Sequence, residues 1–424
     1  MGTVFNILDY GAVSDGSLCT DKIQKAIDDC FLQGGGEVIV PEGRYLVGGL
    51  RLRSEVTLHL LENAVLAGST DPEDYNDYIH DTIEPISEEE RNSIAPTAKE
   101  SAASGQSVRP FSRWNNAIIR AINAKNIAII GEKGSEINGQ NCFDEQGEEN
   151  YRGPHAINMW YCENVTLRGY TVRDSANWAH AIQNSRNISA CDVTVLAGHD
   201  GFDVRSCDDI LIENCRFLTG DDCVAGFDNI NVTVRNCYFE SACSFLRFGG
   251  TDVVIEDCTG VSPCTYGFRG SLSAEQKRVR ADTTDDCRHS CRNVFLYYCD
   301  DRADIRRTPG NIVIRNSRFK NPDTMMRLPF GHRWCCNRSL SDITFENCIT
   351  EGICEPLQLT ASIDEPLTFC MKNCEVTPGD GYENIPFIIG ENVRKIELIG
   401  TSLGKFTDPR IDCGSQTIVD IREK

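Results

Sequence analysis

Residues 210–218 read ILIENCRFL and residues 232–240 read VTVRNCYFE. Both alternate apolar and polar side chains, then place Asn and Cys, then run into a second short stretch of β-formers. A period of two marks a strand with one buried face. Asparagine tolerates the left-handed backbone that a sharp corner needs. The phrase recurs as VVIEDC ending at Cys258, ITFENC at Cys348 and CMKNC at Cys374, with weaker copies in NISAC at Cys191 and IVIRNS at Ser317. From Cys191 the first steps are 24, 22 and 21 residues. Two or three short strands in a step of that length make one coil of a parallel β-helix, whose coils stack about 4.8 Å apart and bury one another's inward faces. The expected fold is therefore all-β, a solenoid. Cys191, Cys215, Cys237 and Cys258 are expected to stack inside it as thiols, since a small apolar side chain suits a tight inward corner.

Residues 20–34, TDKIQKAIDDCFLQG, break the rhythm. Ile23, Ala26, Ile27, Cys30 and Phe31 have helical spacing, Thr20 fits an N-cap, and Gly34 opens a glycine stop. A solenoid exposes an apolar end, and this N-terminal helix is expected to cap it. Coils begin at GEVIVPEGRYLVGGLRL and continue to about Ile421, so residues 1–424 read as a single β-helix domain. Two stretches fall outside the pattern, residues 71–115 and 271–308, and are expected to be loop insertions walling a groove.

The chain has 424 residues and a net charge of −21. Such a surface repels phosphate backbones and anionic membranes, which argues against a nucleic-acid or membrane partner. An acidic polysaccharide is also repelled at long range, and binds only where cations are gathered locally. No apolar run reaches 18 residues, as a spanning helix requires. The N-terminal stretch MGTVFNILDYGAVSDG lacks a basic region followed by an apolar core, so it does not read as a secretory signal, and the expected location is cytoplasmic.

Asp200 precedes Asp221 and Asp222 by one coil length. Stacking should bring the three carboxylates to one side of the helix, where mutual repulsion raises at least one pKa. That separation of an acid from a base is what glycosidic cleavage needs. An oxygen cage for a metal is a rival reading, and turn aspartates capping coils are another, as with Asp208, Asp209 and Asp228.

The stretches FNILDYGAVSDG, GGGEVIVPEGRYLVGGLRLRSEVTLHLLENAVLAGSTDPEDY, IAIIGEKGSEINGQ and HDGFDV…TGDDCVAG resemble glycoside hydrolase family 28, the polygalacturonase-like family, with this chain a divergent member. The likeness runs from about Phe5 to Arg269 and more loosely beyond. It implies a right-handed parallel β-helix, inverting hydrolysis of pectic carbohydrate and no cofactor. The family's Asn-Thr-Asp falls on Gly198-His199-Asp200, and its Gly-Asp-Asp on Gly220-Asp221-Asp222. The resemblance makes Asp221 the general acid, its proton held by neighbouring anions, while Asp200 and Asp222 deprotonate the attacking water. An inverting pair stands roughly 6.5–9.5 Å apart to admit that water. Trp178-Ala179-His180 approximates a family pattern preceding the site.

Two departures matter. The family's Gly-His-Gly is Cys243-Ser244-Phe245 here, and its Arg-Ile-Lys is Arg269-Gly270-Ser271. A histidine and a lysine that handle the sugar are thus missing, and specificity should depart from plain polygalacturonate. Arg247 could supply a substitute charge or be an exposed outer-face residue. His199 could touch substrate or hold Asp200. Trp178, by its motif context, and His180 join Arg247, Arg269 and His199 as candidate substrate-binding residues. Trp114 and Trp334 fit packing at least as well as sugar stacking, and Arg109 and Arg113 could border the groove. CRHSC (Cys287, His289, Cys291) and HRWCC (His332, Cys335, Cys336) lack standard zinc spacing, so no metal is expected. Rival functions are a β-helix lyase or epimerase, which needs a basic Lys or Arg, and a non-catalytic carbohydrate-binding solenoid. The long insertions hint at a groove closed at one end and exo action.

Overall fold

The computed structural model describes residues 3–76, 81–103, 108–279, 287–300 and 304–423. The chain forms two compact units, Met1–Asp203 with Phe268–Cys287, and Val204–Gly267 with Arg288–Lys424.

In the first unit one coil comprises the strands His155–Trp160, Glu163–Arg168 and Thr171–Arg173, and the next comprises His180–Gln183, Arg186–Cys191 and Thr194–Ala197. All three pairs are parallel and in step, with Asn158 opposite Ala181, Val165 opposite Ile188 and Val172 opposite Val195. The inward valines and isoleucines of these pairs are buried, each contributing about 1.5–3 kcal/mol over an exposed side chain. At one corner Asn126, Asn164 and Asn187 take φ of 53°, 59° and 54°. The Asn164 amide donates to Asn126 Oδ1 at 2.7 Å, and Asn187 donates to Asn164 Oδ1 at 2.7 Å. Asparagine is used because it fits the left-handed backbone and its amide also ties coil to coil.

The helix Thr20–Leu32 buries Ile23, Ala26, Ile27 and Cys30, as their spacing implies. Thr20 is not its N-cap. Cys19 holds that position without a side-chain bond, and Thr20 Oγ1 instead accepts from the Gly48 amide at 2.8 Å. A buried amide on the neighbouring loop outcompetes the solvent-facing amides of the first turn. In the 71–115 stretch, the short helices Glu88–Ser93 and Ala98–Ala103 precede the next strand, Ala117–Ile122. Residues 77–80 and 104–107 of it lie outside the described residues. Buried Arg51 and Arg53 pin this insertion to the first coils through Asp81 and Glu84.

The second unit repeats the scheme with Asp208–Glu213, Arg216–Thr219, Val224–Arg235, Tyr238–Ser241 and Ser244–Glu256. Ile210 pairs with Val232 and Val232 with Val253, while Phe217 lies beside Phe239. Asn214, Asn236 and Asp257 turn the corner at φ 54°, 51° and 55°. The cysteines that follow them, Cys215, Cys237 and Cys258, are buried. The Cys237 thiol hydrogen-bonds with both neighbours, which pushes its pKa far up. The Cys237 and Cys258 thiols also reach carbonyls of the preceding coil, Ile212 and Val234, at 3.8 Å. Cysteine is thus a small side chain that fills the corner and satisfies a spare carbonyl lone pair.

Two expectations are corrected. Cys191 is not a rung of this ladder: it ends a strand, the left-handed residue is the following Asp192 (φ 56°), and Val193 takes the inward slot. Nor is 271–308 one continuous loop. The apolar run Asn293–Tyr297 is a buried strand, with Phe295 between Leu246 and Met326. Residues 280–286 and 301–303 lie outside the described residues. Among the described residues no helix is long and apolar enough to cross a membrane.

Candidate active site

In the second unit Asp221 and Asp222 occupy the turn between Arg216–Thr219 and Val224–Arg235. The turn is fixed from below: the hydroxyls of Thr219 and Ser241 both donate to the Asp221 carbonyl, at 2.9 and 2.7 Å. Asp221 is half-buried, whereas Asp222 is 1% exposed. Polar atoms of Asp221, Asp222 and Cys243 lie within 4.8 Å of one another. Burial, with the Asp221 charge second, pushes the Asp222 carboxyl up to about 7, against the pull of Arg247 and a hydrogen bond from Ser244. Asp222 is the deeper member of the pair, and desolvation is the larger of the two effects that raise it.

Ser244, in the middle position of Cys243-Ser244-Phe245, is fully buried and accepts from Asn293 Nδ2 at 3.1 Å. Arg247 is not a free outer-face residue. Its Nη1 stands 3.4 Å from Asp222 Oδ2, and its guanidinium lies 3.8 Å from the Tyr298 ring centroid and 4.8 Å from that of Trp334.

The first unit holds the other candidates. Asp200 is 1% exposed, and its carbonyl accepts from the Ala179 amide at 2.9 Å, one coil earlier. His180 is a core residue and offers no surface to a ligand in this structure. It is fully buried, stacks on Phe202 at 3.9 Å, and meets the Tyr170 hydroxyl and the Gly201 carbonyl, each at 3.0 Å. Burial holds its pKa down to about 3, so it is neutral. The indole of Trp178 is likewise packed, edge to face with Trp114 at 5.9 Å and tilted against His155 at 5.2 Å. Trp178 is a candidate for stacking on a sugar; in this structure Trp114, at the end of the first insertion, packs against its ring.

His199 is buried and neutral. Desolvation, then the charges of Arg152, Arg269 and Lys277 and the His155 ring, hold its pKa well below the usual value. These neighbours define a cationic cluster. Arg269 is 4% and Lys277 3% exposed. Burial and the two guanidiniums lower the Lys277 amine to about 8, and among the described residues its ammonium has no hydrogen-bond or ion-pair partner. Lys277 comes from the short helix Ala274–Arg278, set by a capping box between Ser273 and Gln276. So Ser271 leaves the motif without a lysine, and a lysine from the next helix joins Arg269. Sequence reading missed Lys277, Arg152 and the Tyr298 ring. The basic run KRVR containing Lys277 was the one signal available.

CRHSC and HRWCC do not assemble into a metal cluster among the described residues, where the one group of three ligand-type atoms is Asp221, Asp222 and Cys243. His289 Nδ1 instead meets the Cys264 carbonyl at 2.9 Å. Arg113 pairs with Glu73, within the insertion.

Residues 97–243 match the model of Glycosyl hydrolases family 28. A probable polygalacturonase of Vitis vinifera is 29% identical over 243 residues, which are 54% of this chain and 45% of that protein. An exo-poly-alpha-D-galacturonosidase of Dickeya chrysanthemi is 27% identical over 251 residues, 52% of this chain and 41% of that protein. The matches thus span less than half the length of these curated relatives. Among solved structures, an exopolygalacturonase from Thermotoga maritima aligns with a TM-score of 0.66 at 16% identity, over 99% of this chain and 92% of that one. At that identity the likeness is one of fold, a right-handed parallel β-helix.

Proposed function

We propose that the chain is a divergent member of glycoside hydrolase family 28 and that it hydrolyses glycosidic bonds of galacturonate-containing, pectin-like carbohydrate with inversion, from a chain end, a reading supported by the family match over residues 97–243 and by the polygalacturonase relatives. The observation that carries this is the adjacent carboxyl pair Asp221–Asp222 in one turn, their polar atoms within 4.8 Å, where burial and then the Asp221 charge push the Asp222 carboxyl up to about 7. A pair whose first ionisation is easy and whose second is hard keeps one proton near neutrality. That proton goes to the leaving oxygen through Asp221, the member that reaches solvent. The resemblance gives the complementary role, taking a proton from the attacking water, to Asp222 once ionised and to Asp200. No metal or cofactor is needed for these steps.

The acidic sugar is received at Arg152, Arg269 and Lys277, where the buried ammonium has no ion-pair partner among the described residues. In a chain of net charge −21 this local gathering of cations is what admits an acidic substrate. Exo action is supported by the end of the first insertion. Its Asn115 bonds Asn158 and Arg120 on the outward side of their strands, and its Trp114 covers Trp178 and Ala181. The exo reading requires that sugar units not extend across that cover.

A lyase reading draws on one observation, the Lys277 amine lowered to about 8, which suits a base. Early products of defined oligogalacturonides, followed by proton NMR, separate the readings. Inverted anomeric product released one or two units at a time is expected. Retained configuration would sink inversion, a ladder of intermediate lengths would sink exo action, and an unsaturated, ultraviolet-absorbing product would establish the lyase.

A further inference from the structure

We propose that Arg247, clamped between the rings of Tyr298 and Trp334, is a positioning residue that fixes both the orientation and the ionisation of Asp222. The proposal rests on Asp222 serving the hydrolysis above. Arg247 lies opposite Ala225 on one neighbouring coil and Leu296 on the other. The small alanine leaves room for the guanidinium to turn back toward Asp222, 3.4 Å away.

Two aromatic faces hold it there. Tyr298 is immobilised in turn, being fully buried with its hydroxyl donating to Asp300 at 2.6 Å. Trp334 is tied to the same place through its carbonyl, which accepts from the Cys299 amide at 3.0 Å. A guanidinium is weakly hydrated and stacks flat on a ring, so it can be enclosed in this way at modest cost, whereas an ammonium cannot stack. Other groups bear on Asp222 without opposing its charge. Asp221 is like-charged, and the thiols of Cys223, Cys243 and Cys291 are held neutral by burial. Ser244 contributes a hydrogen bond, and Arg288 bears on Cys243. Arg247 is therefore an opposing charge in contact with Asp222. Without it the carboxylate would ionise only at a pH where the pair is no longer useful near neutrality.

The test titrates Asp222 directly by NMR of protein carrying carbon-13 at the aspartate carboxyl, with the resonance identified by its loss in Asp222→Asn, alongside the pH profile of kcat/KM on oligogalacturonide. In Arg247→Gln the Asp222 midpoint should rise by about one to three pH units, and the acid limb of kcat/KM should move with it. Arg247→Lys should give a smaller rise, and Trp334→Leu a rise without any change of charge. An unmoved midpoint in a folded Arg247→Gln protein overturns the proposal, and an unmoved midpoint in Trp334→Leu overturns the clamp. If Arg247→Gln does not fold, Arg247→Lys and Trp334→Leu decide. The NMR midpoint requires no turnover, so a wild-type protein that cleaves no galacturonide would refute the hydrolase reading while leaving this result legible.

Discussion

Asp221 and Asp222 are chemically identical neighbours that the fold makes different. One is half-buried and the other all but sealed, and burial falls on the second. Asp221→Asn should lower kcat on a poor leaving group by about 10²–10⁴-fold, the usual contribution of general acid catalysis. An activated leaving group should recover part of the loss. Full activity on the poor substrate would remove Asp221 from the acid role. Asp222 makes a separate thermodynamic prediction. Its folded pKa, about 7, lies above that of the unfolded chain, so the folded state binds the extra proton between those values. Its contribution to stability is present below the unfolded pKa, near 4, and is lost as pH rises through 7. Asp222→Asn should therefore raise Tm, relative to wild type, more at pH 8 than at pH 4. Melting curves at both values check this, and equal shifts would contradict it.

In the first unit two elements outside the repeat contribute candidate residues. The helix Ala274–Arg278 delivers Lys277, whose charge is disfavoured by burial and by two guanidiniums. A lysine held below its usual pKa destabilises the fold wherever it is charged, so stability should rise with pH from about 8 toward 10. Lys277→Met keeps the length of the side chain and removes the charge. Tm at neutral pH should hold or rise, while KM for acidic oligosaccharide rises at least tenfold with little change in kcat. A loss of stability with KM unchanged would make Lys277 structural. The end of the first insertion is the second element. Trp114→Ala removes the cover over Trp178 and Ala181. Early products should then shift from one or two units toward mixed lengths, and an unaltered product pattern would show that the insertion does not limit the groove.

At the scale of the molecule, the repeat makes stability a sum over coils, each supported by its neighbours. The Cys215–Cys237–Cys258 run belongs to that repetition, with each thiol enclosed and hydrogen-bonded. We expect these cysteines to be thiols in the isolated protein, as suits a reducing compartment. Alkylation after denaturation without reductant, read by mass spectrometry, should label most of the 22 cysteines. Finding most already in disulfides would overturn that expectation.

The solenoid was legible in the sequence because its physics is local and repeated: alternation sets the strand, asparagine sets the corner, and the period sets the stacking. The carboxylate candidates came from the same period, Asp200 one coil before Asp221 and Asp222. Environment was not legible. Nothing in the order of residues separates the buried carboxyl from the half-buried one, makes His180 a core ring, covers Trp178 with Trp114, or sets a short helix so that the Lys277 charge bears on Arg269. Nor does the string show two rings closing on Arg247 from Tyr298 and Trp334. Desolvation and charge proximity depend on distances between segments far apart in the chain, and those distances exist only once the coils have stacked.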